Sequence, residues 1–113
     1  MSCALTADAV RARTKTVTRR SPDTWLHLQP GDRLTLVERS RGLAAGAKQV
    51  VLAEVEVTSV GLEDLESITD DDVAREGYPQ WDADGFIRFY RVSFGIPDGV
   101  PVRVRRIEWA YID

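Results

Sequence analysis

The chain has one cysteine, one histidine and no long apolar run. Each scarcity excludes something. A lone Cys3 cannot close an intrachain disulfide, so a reducing, cytoplasmic setting is expected. One Cys and one His fall short of the roughly four N/S ligands of a structural zinc site, and neither a metal nor a cofactor is expected. No stretch reaches the length of a membrane span, so no membrane partner is expected. The opening residues MSCALTADAV are too few and too polar for a secretory signal. Positive charge is also not in excess: the net charge is −3 and the pI about 5.2. That argues against broad, charge-driven coating of nucleic acid.

What is present fits one soluble globular domain spanning residues 1–113, with 43% hydrophobic and 29% charged residues;. The charge is strongly segregated. Arg11 to Arg20 (RARTKTVTRR) holds five cations, three hydroxyls and no acid. Such a loop suits an anionic or polar ligand, with nucleic acid or a nucleotide foremost. Glu63 to Glu76 holds seven acids and one base, Arg75. The two segments are either two walls of one site or two solvated faces.

Local signals predict a short helix at about Ala7–Arg13, capped by Thr6, with Leu5, Ala9, Val10 and Ala12 as its apolar stripe. Gln29-Pro30-Gly31-Asp32 reads as a type II turn before a strand at Arg33–Arg39. Arg41–Ala47 reads as a hairpin connection. Val51, Ala53, Val55 and Val57 alternate with Leu52, Glu54, Glu56 and Thr58, which predicts a strand ending at Gly61. Leu62, Leu65 and Ile68 suggest a helical turn. Thr69 and Asp72 resemble a capping box for a helix at Asp70–Glu76, closed by Gly77 and Pro79. Phe86, Phe89, Tyr90 and Phe94 fit a helical stripe. Pro97-Asp98-Gly99 is a turn. In the last strand Val102 and Val104 fall on one parity, and Ile107, Trp109 and Tyr111 on the other. A β-bulge near Arg105–Arg106 would bring all five to one face. Strands interleaved with short helices predict an α+β fold, a small curved sheet closing into a barrel.

Several residues invite a sharper reading than they bear. Asp82-Ala83-Asp84-Gly85 looks like part of a calcium loop, but that register places Arg91 where a bidentate glutamate belongs. A turn and helix start is the better reading. His27 has no triad around it, and a packed or surface role is expected. Trp109 belongs to the core. Trp25 and Trp81, in loops beside charged segments, are candidates to stack a base. Arg103, Arg105 and Arg106 line a solvent face or touch phosphate.

Lys15, Thr18 and Arg20 match the last three positions of the G-x-K-x-x-T-x-R signature of the ASCH domain, a PUA-like β-barrel family. The Gln29–Asp32 turn and the acidic, Thr-capped helix also resemble it. The chain departs from the pattern at the glycine, which falls at Arg13. Arginine there disfavours a positive φ, and its side chain would narrow the pocket. The resemblance implies a PUA-like (ASCH) barrel and RNA-binding or RNA-processing work. A small bacterial subgroup that the chain resembles more closely hydrolyses N4-acetylcytidine with a lysine, a threonine and a glutamate. Those residues correspond to Lys15, Thr18 and Glu76. Arg13, Arg19, Arg20, Trp25 and Trp81 are then the candidate contacts to a modified nucleoside or RNA.

The chemistry leaves two assignments open. Either Lys15 takes the Thr18 proton and Glu76 donates one to the leaving amine, or Glu76 is the base and charged Lys15 stabilises the oxyanion. The first needs burial or nearby cations to lower the lysine pKa, and it is preferred because the loop's cations outnumber one carboxylate. The competing functions are a non-catalytic RNA-binding module on the same loop, and an interaction domain whose Asp70–Asp72 face docks a basic partner.

Overall fold

The alternating stretch from Val51 becomes the spine of the fold. The computed structural model describes residues 1–39 and 48–112. The expected hairpin connection at Arg41–Ala47 lies outside them. Strand β1 is Val17–Arg20, β2 Arg33–Val37, β3 Val51–Asp64 and β4 Arg103–Ile112. All neighbours are antiparallel, in the order β1-β4-β3-β2. Three short helices flank the sheet: α1 (Ala7–Arg11), α2 (Asp70–Glu76) and α3 (Ala83–Phe94). The result is an α+β fold, a curled half-barrel with peripheral helices. The N-terminal segment links the two edge strands. Cys3 N donates to Val37 O of β2 at 2.8 Å, and Arg20 Nη2 of β1 donates to Ser2 O at 2.7 Å. Among the described residues no helix is long and apolar enough to cross a membrane, and no cluster of three or more His, Cys, Asp or Glu could hold a metal.

The core has two parts. Val10, Leu36, Val55, Val57, Ile107 and Trp109 form one cluster; Leu65, Ile68, Val73, Phe86, Tyr90 and Val104 form the other. This explains the phase change in β4 and corrects the bulge expected there. Pairing runs without a break through Arg105 and Arg106 on both sides of β4. Regular alternation therefore puts Val104 and Ile107 on opposite faces, and each face has its own core. The register shift lies instead in β3, between Val57 and Ser59. β3 also continues past Gly61 to Asp64, and a 3₁₀ turn follows at Leu65–Ser67.

Other local signals act as their chemistry dictates. Gly31 takes φ +95° in the Pro-Gly turn, and Asp32 N donates to Gln29 O at 3.1 Å. The Thr69 hydroxyl accepts from Asp72 N at 3.2 Å and starts α2. The Asp82 carboxylate accepts from Gly85 N at 2.8 Å and starts α3. Leu5 does not join the α1 stripe. It sits in the 3₁₀ turn Ala4–Thr6 and is 78% exposed.

Two helix ends bring the later site together. After α1, Arg13 takes φ +62°. Arg13 N donates to Val10 O and Thr14 N to Ala9 O, both at 2.9 Å. This is the Schellman pattern, with arginine where glycine is usual. The left-handed turn expected to be disfavoured at Arg13 is thus retained. At the end of α2, Gly77 has φ +110°, and a Cβ there would lie 3.0 Å from Thr6 Cγ2 and 3.2 Å from Ala9 Cβ. Only glycine allows both the turn and the close approach of α2 to α1.

Gly77→Ala should lose about 2 kcal/mol, combining left-handed strain with crowding. Urea unfolding measures it, and a loss within experimental error would refute the packing argument. At Arg13 the glycine variant should be about 1 kcal/mol more stable than the alanine variant, because only alanine keeps the strain. Equal midpoints for the two would show that the positive φ carries no cost.

Candidate active site

The turn at Arg13 delivers Lys15 to the sheet with its backbone fixed on both sides. Lys15 N donates to Ala9 O at 3.2 Å. Its carbonyl accepts from Trp109 Nε1 at 3.1 Å and from the Tyr111 hydroxyl. Next door, Thr16 N donates to Arg75 O at 2.8 Å, and Arg75 Nε donates to Thr16 Oγ1 at 3.0 Å. These bonds tie the loop to α2, which carries Glu76.

The side chains then converge. Lys15, Thr18 and Glu76 are 3%, 4% and 3% exposed. Lys15 Nζ donates to Glu76 O at 2.6 Å and more distantly to Glu76 Oε1 at 3.4 Å. The other carboxylate oxygen, Glu76 Oε2, accepts from Arg19 Nη1 at 3.0 Å. Thr18 Oγ1 accepts from Arg20 Nε at 3.2 Å, while Arg20 Nη2 reaches Ser2 O. A hydroxyl has one proton and two lone pairs, so Arg20 occupies a lone pair and leaves the Thr18 proton available.

The basic loop and the acidic segment are walls of one structure. Arg19 Nη2 lies 2.5 Å from Asp72 Oδ2 and 2.8 Å from Glu63 Oε1. The Glu63 contact is not aligned as a hydrogen bond, and it acts through charge. Arg106 bonds Asp72 and Glu108, and Arg75 contacts the same two acids. Four basic residues (Lys15, Arg19, Arg75, Arg106) thus face four acids (Glu63, Asp72, Glu76, Glu108).

Burial pushes the Lys15 amine below its ordinary 10.5; Glu76 and the Cys3 thiol oppose this, and Arg20 adds to it. At Asp72, burial alone would raise the carboxyl, but bonds from Arg106 and Arg19 outweigh it and bring it down to about 2. Burial raises the Cys3 thiol, so it is a poor nucleophile despite its place in the cleft;.

Lys15, Thr18, Arg19, Arg20 and Glu76 line a cleft of about 340 Å³ along the free edge of β1. Its lining also includes Tyr78, Phe86, Phe89, Tyr90 and Phe94, and Leu5 from the N-terminal segment. Phe94 is 59% exposed and stacks on Tyr90, centroids 4.5 Å apart. A larger open groove of about 790 Å³ lies between α3 and the start of β4. Of its lining residues Arg91 is the one buried polar side chain, and it is taken up by Pro97 O at 2.8 Å and Glu66 Oε1 at 2.6 Å.

The remaining candidates lie elsewhere. Arg13 is absent from the cleft lining and does not narrow it; its guanidinium sits 5.5 Å from the Tyr111 ring centroid. Arg19 lies in the cleft, but its side chain is 1% exposed and surrounded by carboxylates, so it is no surface contact for phosphate. Trp81 stands behind the wall, stacked on Tyr78 at 4.5 Å and 8°. Trp25 lines a separate cavity with Leu26, His27 and Leu28. Arg105 is tied to Pro22 O and Thr24 O, and Arg103 to Asp64. Sequence reasoning does not reach the aromatic wall as part of the site, although the Phe86–Phe94 stripe is its signal. Trp109 and Tyr111, which hold the Lys15 carbonyl, left no local signal for that role.

The architecture and cleft define a class: an α+β half-barrel with a lysine, a threonine and a glutamate buried at one sheet edge. Within that class the fold is ASCH-like. The ASCH domain from Lactobacillus crispatus JV V101 superposes with TM-score 0.67 at 17% identity, over 95% of this chain and 70% of that one. A protein of Enterococcus faecalis V583, whose family model is DUF984, superposes with TM-score 0.68 at 13% identity, over 95% of this chain. The chain spans 66% of that second protein's length. At such identities the likeness concerns the fold. No family model matches the chain, and no curated protein matches it.

The depressed Asp72 carboxyl predicts an acid limb in stability. Its folded pKa of about 2 lies below the ordinary 3.8. A carboxyl lowered in the fold stabilises above its unfolded pKa, and that stability is lost as pH falls toward the folded value. Denaturation midpoints should therefore hold above about pH 4 and decline between about pH 4 and 2. Asp72→Asn should lower the plateau and flatten the decline. An unchanged decline in that variant would mean other carboxylates carry it.

Proposed function

We propose that this chain is an amidohydrolase acting on N4-acylated cytidine, releasing cytidine and a carboxylate. The observation that carries the reading is the buried Lys15 amine, lowered in basicity and held against Glu76 in the same cleft as Thr18. The cleft's size and aromatic walls suit a nucleoside;.

Thr18 Oγ attacks the acyl carbon while its proton passes to Lys15 Nζ. Two positions of the amine are directed to Glu76 O and Oε1. In the neutral amine the third is a lone pair, the position that the proposed base uses. Arg20, bonded to Thr18 Oγ1, steadies that oxygen as its proton leaves; once the new C–O bond forms, the negative charge lies on the acyl oxygen;. The C–N bond then breaks, and the cytosine nitrogen takes the proton from the Lys15–Glu76 pair. Water, deprotonated by the same lysine, hydrolyses the threonine ester and returns the site to its starting state. This favours the assignment in which Glu76 relays a proton to the leaving amine after receiving it from Lys15.

The RNA-binding reading needs cations able to meet phosphate. Arg19 is enclosed by three carboxylates, and Arg20 is directed to a hydroxyl and a carbonyl. The site therefore gives that reading less support.

Purified protein incubated with N4-acetylcytidine should yield cytidine by chromatography. Thr18→Ala and Lys15→Ala should stay folded yet lose at least about a hundredfold in turnover. The rate should rise with pH on a limb below the ordinary lysine value, and Lys15→Ala should abolish that limb. No cytidine from the wild type would sink the reading, as would full activity in both variants.

A further inference from the structure

We propose that Arg19 is a positioning residue for the Lys15–Glu76 pair: it holds one oxygen of Glu76, keeps that carboxylate from committing to the amine, and so leaves Lys15 able to take a proton. The catalytic consequence rests on the hydrolase reading; the electrostatic claim does not.

The distances carry the inference. Glu76 Oε2 is 3.0 Å from Arg19 Nη1, whereas Glu76 Oε1 is 3.4 Å from Lys15 Nζ. A committed ammonium–carboxylate bond is about 2.7–2.9 Å. The amine's short contact is to the Glu76 backbone carbonyl, at 2.6 Å. That carbonyl is a dipole and holds an ammonium less strongly than a carboxylate does. Arg19 thus takes the better half of the Glu76 charge. It is suited to this because guanidinium stays protonated and offers several donors in a fixed plane. Arg19 occupies the variable position between Thr18 and Arg20 in Lys-x-x-Thr-x-Arg, so the motif does not account for its burial.

Two other acids limit how far Arg19 commits to Glu76. Asp72 is shared with Arg106 and Arg75, and Glu63 is the most exposed acid touching Arg19, at 29%. Lys15 itself faces Glu76 from α2, the Cys3 thiol from the N-terminal segment, and Arg20 from β1. The Tyr78 and Tyr90 hydroxyls share the cleft. Removing the Arg19 charge leaves Lys15 as the cation in contact with Glu76 and strengthens the pull on its proton. Removing the Glu63 charge does the opposite.

The test reads Lys15 directly. The chain has two lysines, Lys15 and Lys48. Lysine labelled with carbon-13 at Cε therefore gives two NMR signals, and exposed Lys48 serves as the internal reference. Arg19→Gln should raise the Lys15 titration midpoint by roughly one pH unit or more. Arg19→Lys should return it to within about half a unit of wild type, even where the shorter-reaching head group lowers stability. Glu63→Gln should move it down. A purely mechanical role predicts the reverse pattern: stability falls in both Arg19 variants while the Lys15 midpoint stays put. That result overturns the proposal, as does Arg19→Lys titrating like Arg19→Gln. Should Arg19→Gln fail to fold, the sign of the Glu63→Gln shift decides. Absence of turnover in the wild type would sink the hydrolase reading and leave these titrations unaffected.

Discussion

A lysine amine buried against a glutamate is the constraint around which this small fold is arranged. Burying an ion costs several kcal/mol even after relaxation, and an ion pair recovers that only with good geometry and further bonds. The Lys15–Glu76 contact at 3.4 Å is poor geometry for a purely stabilising pair. Apolar residues of similar volume would hold α2 to β1 at least as well. The surrounding network makes the burial tolerable. Arg19, Arg75 and Arg106 reach across from β1, α2 and β4 to Glu63, Asp72 and Glu108, so no carboxylate in the group lacks a cation.

The backbone around the pair is correspondingly over-determined. Arg13 is strained in a left-handed conformation by about 1–2 kcal/mol relative to an ordinary helical residue. Its guanidinium recovers part of that over the Tyr111 ring, a contact worth about 0.5–1 kcal/mol when exposed;. Tyr111 and Trp109 both bond the Lys15 carbonyl, so the residue standing in for glycine also covers one of the rings that fix the lysine. On the other side, Gly77 lets the end of α2 approach Thr6 and Ala9. A one-residue shift at either turn would separate Lys15 from Glu76.

What the sequence disclosed and what it hid divide along the range of the interactions. Thr69, Gly77, the Pro30-Gly31 turn and the Phe86–Phe94 stripe act within a few residues, and each was legible. The half-barrel class followed from the strand pattern and the ASCH resemblance. The β4 phase change was visible but misread, because a bulge and a strand with a core on each face give the same alternation. Only Val73 and Phe86 on one side, and Leu36 and Val55 on the other, distinguish them, and all are remote in sequence. Arg19 and Arg20 pose the same difficulty. Adjacent on a strand, they must face opposite ways. Which way meets the acidic helix depends on tertiary packing. The aromatic wall was hidden likewise: Trp81 looked suited to stacking, but Tyr78 stands between it and the cleft.

The distribution of charge also bears on what the cleft can recognise. Its loop is the most basic stretch of the sequence, which by itself favours an anion. In the fold Lys15 and Arg19 are buried and Arg20 half-buried, whereas Arg11 and Arg13 are exposed and outside the cleft lining. Arg19 and Lys15 face carboxylates, and Arg20 is turned to a threonine hydroxyl and a main-chain carbonyl. The exposed part of the cleft lining carries no charge: it includes Leu5, Ser93 and Phe94. A phosphate there would surrender hydration for little compensation, whereas a planar ring could stack on Phe94 and lose nothing polar. Selection by ring and hydrogen bond rather than by charge is what the proposed uncharged acylated nucleoside requires. It also reconciles a cationic motif with a chain whose net charge is negative.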